Sequence, residues 1–426
     1  MRKAIRERAS RARQPLRPGK GTFFLCLVGL IIGAGSARAQ EMDADRFTLR
    51  GFGTLAATWQ HSSEAGVDYR RFVGQPKGVS DGEIEFQPDS IFGAQIDVPF
   101  GRDFSANVQG VTRLRADGDW HPTISQAYLR YSPDDSWVFR AGRLGYDIYL
   151  LAESRQVGYS YLAMRPAPEV YGLLGNDDVD GADVTYTRRI GRGLLRARVF
   201  GGESANETAT ADGMSFEVKA NVRGAVLDYL YRGWTARAAF VDFRYEPHAR
   251  FEPLATALRM TGVPDAVRIA DGLAQDELTS RGMQLSVVYD SGPLQTQVLY
   301  SKILSDSVSG PDVESAYAQV GYRLRKWTPF VAFANSANRD PARDAGLPDF
   351  GELAALNAAV YQIQKGQRTT QHTTSVGLRY DYSSHLDFKL QVDRISITDS
   401  VLMLDRRPGR GPLDMTVVAA GVDFVF

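Results

Sequence analysis

The last fourteen residues read Leu413-Asp-Met-Thr-Val-Val-Ala-Ala-Gly-Val-Asp-Phe-Val-Phe426. Taken with a period of two, Thr416, Val418, Ala420, Val422, Phe424 and Phe426 fall on one face, and Val417, Ala419, Gly421, Asp423 and Val425 on the other. The first face is oily, while the second is mixed and holds a carboxylate. A strand with lipid on one side and a polar lumen on the other has this composition.

The same alternation recurs upstream. Val376, Leu378, Tyr380 and Tyr382 answer Leu386, Phe388, Leu390 and Val392 across Ser383-Ser384-His385, with Arg379, Asp381, Lys389, Gln391 and Asp393 between them. Sixteen such segments are expected, near 46–60, 88–99, 103–115, 124–132, 136–144, 181–190, 193–202, 216–232, 233–246, 280–291, 293–304, 313–325, 327–337, 372–383, 385–397 and 413–426. Links after even-numbered segments are short, as at Phe100-Gly101-Arg102, Gly191-Arg192, Arg232-Gly233 and Ser291-Gly292. Those after odd ones are mostly long: 61–87, 145–180, 203–215, 247–279 and 338–371. Short turns on one rim and long loops on the other predict an all-β, transmembrane antiparallel β-barrel with short periplasmic turns and long extracellular loops. Trp137, Trp234 and Trp327 each follow a short turn, where a girdle at the membrane boundary would place indoles. Leu254 to Met260 and Glu352 to Gln364 read as short helices inside two of the long loops, packing over the mouth.

The other end of the chain has eight Lys/Arg among its first twenty residues, then an uncharged run from Thr22 to Ser36, then Ala37-Arg38-Ala39. That order predicts a signal peptide over 1–39, cleaved after Ala39, and export of a single barrel domain over 40–426. Cys26, the one cysteine, falls inside the signal, so neither disulfides nor thiolate metal sites are expected in the exported part. Residues 1–39 hold nine of the 50 basic and one of the 50 acidic residues, which leaves 41 and 49, a net of −8. Such a balance argues against nucleic acid as a partner. No apolar run long enough for a helical span follows the signal.

If the apolar faces meet lipid, the inward set includes Asn107, Gln109, Arg113, Arg115, Gln126, Arg130, Arg140, Arg196, Arg198, Arg237, Gln319, Arg323, Arg325, Arg379 and Lys389. Inward acids are fewer: Asp97, Asp183, Asp228, Asp290, Asp393 and Asp423. An excess of fixed cations lowers the barrier for anions. The stretch after Arg140 is unusually apolar and aromatic for a loop in water. It makes sense if it enters the barrel and narrows it. It contains Ala141-Gly-Arg143-Leu144, Val157-Gly-Tyr-Ser-Tyr161 and Arg165-Pro-Ala-Pro-Glu169-Val-Tyr171.

In these motifs, in the aromatic C-terminal ending and in its strand pattern, the chain resembles sixteen-stranded Gram-negative outer-membrane porins. It looks especially like a group related to phosphate-selective porins, although it lacks a lysine-rich loop cluster. The resemblance implies that 145–180 forms the constriction, with Arg143, Asp147, Glu153, Arg155, Arg165 and Glu169 beside the narrow zone, facing Arg113, Arg115, Arg130 and Arg140. It also implies recognition of Phe426 by the barrel-assembly machinery, lipopolysaccharide as neighbour, and a homotrimer. Gly51, Gly53, Ala57 and Ala420 on the lipid face would permit close subunit contact. The function expected is passive diffusion of small hydrophilic solutes, with mild anion preference, no cofactor and no catalysis. A barrel enzyme would need a Ser/His/acid set, which the five histidines do not supply. An energised receptor would need about 22 strands. A surface barrel with an adhesive or structural role shares the architecture.

Overall fold

The computed structural model describes residues 47–426 apart from 146, 174–177, 210–214, 247–250, 274–277, 307–309, 311, 339–341, 367 and 406–410. The expected signal peptide lies outside the described residues, as does His248.

Sixteen long strands run in sequence: β1 (Thr48–Ser62), β2 (Ile91–Phe100), β3 (Phe104–Leu114), β4 (Trp120–Tyr131), β5 (Trp137–Gly145), β6 (Asp178–Ile190), β7 (Gly193–Ala209) and β8 (Ser215–Tyr231) form one half. The other half is β9 (Trp234–Tyr245), β10 (Leu278–Ser291), β11 (Leu294–Ser305), β12 (Val313–Tyr322), β13 (Trp327–Asn338), β14 (Thr369–Ser383), β15 (Leu386–Ser400) and β16 (Leu413–Val425). Each pairs antiparallel with its neighbour in sequence, and β1 also pairs with β16 from Phe52↔Val425 to Ser62↔Met415. The sheet is therefore closed and has no free edge, the condition for strands to cross hydrocarbon.

Residues at the turns explain the hairpins. Between β8 and β9 the link is Arg232-Gly233, both with positive φ (51° and 93°), the two-residue geometry whose twist matches paired strands. At the seam, Gly51 and Phe426 exchange both backbone hydrogen bonds, each 2.9 Å. The Phe426 ring lies over Gly51, where any Cβ would come within 2.1 Å of it, and Phe424 covers Gly53 in the same way. The two glycines thus receive the terminal aromatics, and the bare patch expected there reduces to Ala57 and its cross-strand partner Ala420.

Outward faces alternate with inward ones in phase all round. Leu129, Phe139, Val199, Leu285, Val298, Val331 and Leu390 are among the large apolar residues left exposed, as lipid contact requires. Along the short-turn rim the aromatics form a girdle. Trp137 packs on Tyr186 at 4.6 Å between ring centres, Trp234 on Tyr289 at 4.6 Å and Trp327 on Tyr380 at 4.3 Å.

Strand boundaries depart from the sequence reading mainly at the loop rim. β7 runs to Ala209, seven residues past its expected end, through polar residues that carry no hydrophobic signal, whereas β8 lies within one residue of the expected 216–232. One loop helix, Glu252–Met260, meets a second, Pro264–Leu273, that the reading missed. A third spans Gly351–Lys365. Leu258, Ala266, Ala270, Ala345 and Val360 bury one another, so these two loops share a small core of their own.

Candidate constriction site in the lumen

The segment after β5 runs across the inside of the barrel. Its apolar side chains Ile148, Tyr149, Leu150, Val170 and Tyr171 are buried against Val222, Val241, Phe243, Leu299, Val313 and Tyr317 of the inner wall. This explains a loop with so many aromatics: the inner wall of β8–β12 is apolar toward the loop rim, and the loop covers it. Leu162 and Met164 enter sockets at Gly321 and Gly421, where a Cβ would lie 2.4 and 2.6 Å from them.

Polar anchors then fix the loop at successive points round the wall. Asp147 accepts from Arg237 of β9 at 2.8 Å and also pairs with Arg198 of β7. The backbone N–H of Leu150 donates to Gln284 of β10. Arg379 donates to the carbonyls of Tyr159 and Tyr161, and Lys389 to those of Gly158 and Ala163. The N–H of Met164 donates to Gln391. Glu169 takes hydrogen bonds from Gln371 and Thr373 of β14, while its own carbonyl accepts from Ser315.

The tightest anchor is Arg165, whose side chain is 1% exposed. It reaches Asp89, in the segment before β2, at 2.7 Å and Asp393 of β15 at 2.8 Å, and lies over the ring of Tyr69. Tyr69 belongs to a two-stranded ribbon, Val67–Tyr69 with Met403–Asp405, buried against Ile395, Met415 and Val417 inside the barrel. Three loops therefore fill the lumen beside β14–β16.

The wall of β2–β5 stays open. Arg130 is exposed and the Asp97 side chain is 29% exposed. At the edge of this wall the loop brings Glu153, with a side chain 40% exposed, to salt bridges of 2.8 Å with Arg140 of β5 and 2.9 Å with Arg198 of β7. Burial opposes its ionisation, but the two guanidiniums outweigh that and hold its carboxyl below the ordinary glutamate range. Asp147 and Glu169 are pushed upward, burial outweighing the arginines around the first and the donors around the second.

The expected site residues thus separate. Glu153 meets water, whereas Asp147, Arg165 and Glu169 are buried bolts. Arg155 is half-buried. Arg143 shares the face of Phe139 and Ala141, opposite Arg140, and pairs with Asp180 at 2.6 Å, so alternation turns it to the outer side and away from the lumen. Arg113 lies over the ring of Phe72, and Arg115 sits just past β3. Every inward acid has a cation: Asp97 with Arg50, Asp183 with Arg140, Asp228 with Arg237, Asp290 with Arg323, Asp393 with Arg165 and Asp423 with Lys389. Arg379 bridges Asp381 and Asp387. Among the described residues Arg130 and Arg196 have no carboxylate partner. Asp89, Tyr69, Gln284 and Thr373 were missing from the sequence list. Alternation marks Gln284 and Thr373 as inward, but nothing local marks Asp89 or Tyr69.

Of the remaining histidines, His61 and His121 bond Asp81 and Asp117, and His385 bonds Ser384. Among the described residues no cluster of His, Cys, Asp or Glu could hold a metal ion.

Solved structures resemble this barrel over nearly its whole length. OmpF of Salmonella typhi, in complex with daunomycin, superposes with a TM-score of 0.54 at 11% identity, covering 90% of this chain and 98% of the other. The chain has the porin fold. The outer-membrane channel DcaP of Acinetobacter baumannii gives 0.50 at 15% identity over 89% and 97%. The anion-selective porin from Comamonas acidovorans gives 0.50 at 11% over 89% and 99%. No protein-family model and no curated protein matches the sequence. A porin-fold barrel with an apolar belt and an aromatic girdle sits in the outer membrane of a Gram-negative cell.

Proposed function

We propose that this barrel is a passive diffusion channel for small hydrophilic solutes, with a mild preference for anions. The observation behind it is a closed barrel whose inward segment is bolted to one side of the lumen, while on the β2–β5 wall Arg130 is exposed and Asp97 is partly exposed. Such a path needs no cofactor and no catalytic step, and flux follows the gradient.

Support for the anion preference comes from the charge inventory. Each inward acid is neutralised by a cation, and Arg130 and Arg196 are left over on the wall. Fixed unpaired cations favour anion entry, with a modest effect because few remain among the described residues. A reversal potential measured in a tenfold KCl gradient tests this: a chloride-favouring sign is expected, falling toward zero in R130Q/R196Q. A potassium-favouring sign in the native channel would reject it.

The same reading includes a homotrimer, supported by the flat Ala57–Ala420 pair at the seam, and assembly through the C-terminal Phe426. Light scattering of the detergent-solubilised protein reads the first; a monomer mass would reject it.

A further inference from the structure

Between the docked loop and the strands across the barrel from β2–β5 lies a recess of about 280 Å³. Strands β9–β12 form its wall, and the loop between Leu150 and Tyr171 covers it. Its volume stands at the small end of the range of about 300–1,000 Å³ found for small-molecule sites. Thr235, Asp290 and Gln295 line one end, within three residues of the short turns Arg232-Gly233 and Ser291-Gly292. The Asp290 side chain there is 49% exposed, so solvent enters from the short-turn rim.

The deeper part is aromatic and amide-rich. Tyr161, Tyr171 and Tyr317 line it and are buried. The Tyr171 hydroxyl donates to the Leu150 carbonyl at 2.7 Å, which fixes that ring against the loop. Gln297 of β11 and Gln319 of β12 are cross-strand partners in the same wall. Gln319 is 8% exposed, and among the described residues its Nε2 has no hydrogen-bond partner. A buried amide donor left unmet costs free energy, so this one calls for an acceptor that the chain does not supply.

The charges in the wall select against ions. Among the described lining residues the charged ones are Arg165 and Asp290, and both are engaged: Arg165 with Asp89 and Asp393, Asp290 with Arg323 at 2.6 Å. An ionic ligand would find no free counter-charge and would lose its hydration. Glutamine amides, in contrast, present donors and acceptors together, as adjacent hydroxyl groups require. Tyrosine rings add apolar faces with a polar edge, which suit a saturated ring that carries hydroxyls.

We propose that this recess binds a neutral cyclic polyol of monosaccharide size, entering from the short-turn rim. Gln297 and Gln319 bond its hydroxyls, and the three tyrosines pack against its ring. Occupancy needs no current through the barrel, so the site stands independently of the diffusion reading.

Saturation-transfer NMR on the folded protein, in a detergent without a sugar headgroup, tests it with D-glucose, gluconate, glucosamine and cyclohexanol as probes. Saturable glucose binding is expected. The anion, the cation and the mono-alcohol should each bind at least roughly tenfold more weakly, because a site built for hydroxyls rejects analogues that lack them or bring unmatched charge. Q319L should weaken glucose binding by roughly three- to tenfold, and T235W, which fills the mouth, should abolish it, while Q95L on β2 should leave it unchanged. Heat-modified gel migration verifies that each variant is folded. Absence of saturable glucose binding, native affinity in both Q319L and T235W, or an equal loss in Q95L would overturn the proposal. Gluconate or glucosamine binding as tightly as glucose would overturn the neutral class, and cyclohexanol binding as tightly would overturn the polyol and leave an apolar pocket.

Discussion

Replacing Arg165 by methionine tests how the constriction is held. The native guanidinium makes charge-assisted bonds of 2.7 and 2.8 Å to Asp89 and Asp393, whose side chains are 1% and 5% exposed. Methionine fills much of the volume but leaves Asp393 without its counter-charge and Asp89 with only Arg71, 3.9 Å away. Removing one partner of a buried pair costs about 3–5 kcal/mol. If that cost falls on the docked loop alone, its occupancy relative to undocked positions drops by roughly a hundred- to several-thousandfold. In planar bilayers R165M is then expected to show larger, flickering conductance steps, together with a lower unfolding temperature in detergent. Exchanging Asp393 as well, in R165M/D393N, removes one stranded charge and should recover part of the loss. Native step size and native unfolding temperature in R165M would refute the claim that this buried triad holds the loop.

Other outcomes follow from the same geometry. Because the Glu153 carboxyl is held below the ordinary glutamate range, its contribution is complete above about pH 4.3 and is lost as pH falls through the lower folded-state value. Current fluctuations should therefore grow only under strong acid, and E153Q should show them already at neutral pH. Converting Gly321 to valine puts a branched side chain where even a Cβ would meet Leu162 at 2.4 Å. It should displace the loop and change conductance by an amount that trimming Leu162 to alanine in the same chain reverses. Deleting Phe426 removes two backbone bonds to Gly51 and the ring that covers it, each bond contributing about 0.5–1.5 kcal/mol. Folding yield into liposomes, followed by heat-modified gel migration, should fall accordingly, while G51A should lose yield through the clash with the same ring.

The barrel was legible because its environment is simple. Lipid outside and water inside impose a strict period of two, and Thr416 to Phe426 shows both faces in one strand. Turn positions follow from steric rules that act over two or three residues, so Arg232-Gly233 is visible as such. The loop-rim end of β7 is not, since its last residues, Ala205-Asn-Glu-Thr-Ala209, are small or polar on both faces. The helix Pro264–Leu273 carried as clear a stripe as its neighbour, with Ala266, Ile269, Ala270 and Leu273 on one face and a proline at its start, and the sequence reading passed over it. The interior of the site is another matter. Which inward arginines remain free depends on partners brought by segments far away in sequence: Asp89 is 76 positions from Arg165, and Asp393 is 228. Alternation names the inward residues, but pairing them requires the path of the loops. For that reason Asp147, Arg165 and Glu169, which read as pore-facing charges, are structural anchors, and only Glu153 of that group stands at open water.

Single-channel recording of the folded protein in a planar lipid bilayer bears most directly on the central claim, a hydrated path along β2–β5 past a loop bolted to the opposite wall. Discrete, ohmic steps that grow when the Arg165 triad is broken are the predicted result. A membrane that stays silent at every voltage, with protein demonstrably inserted, would contradict it.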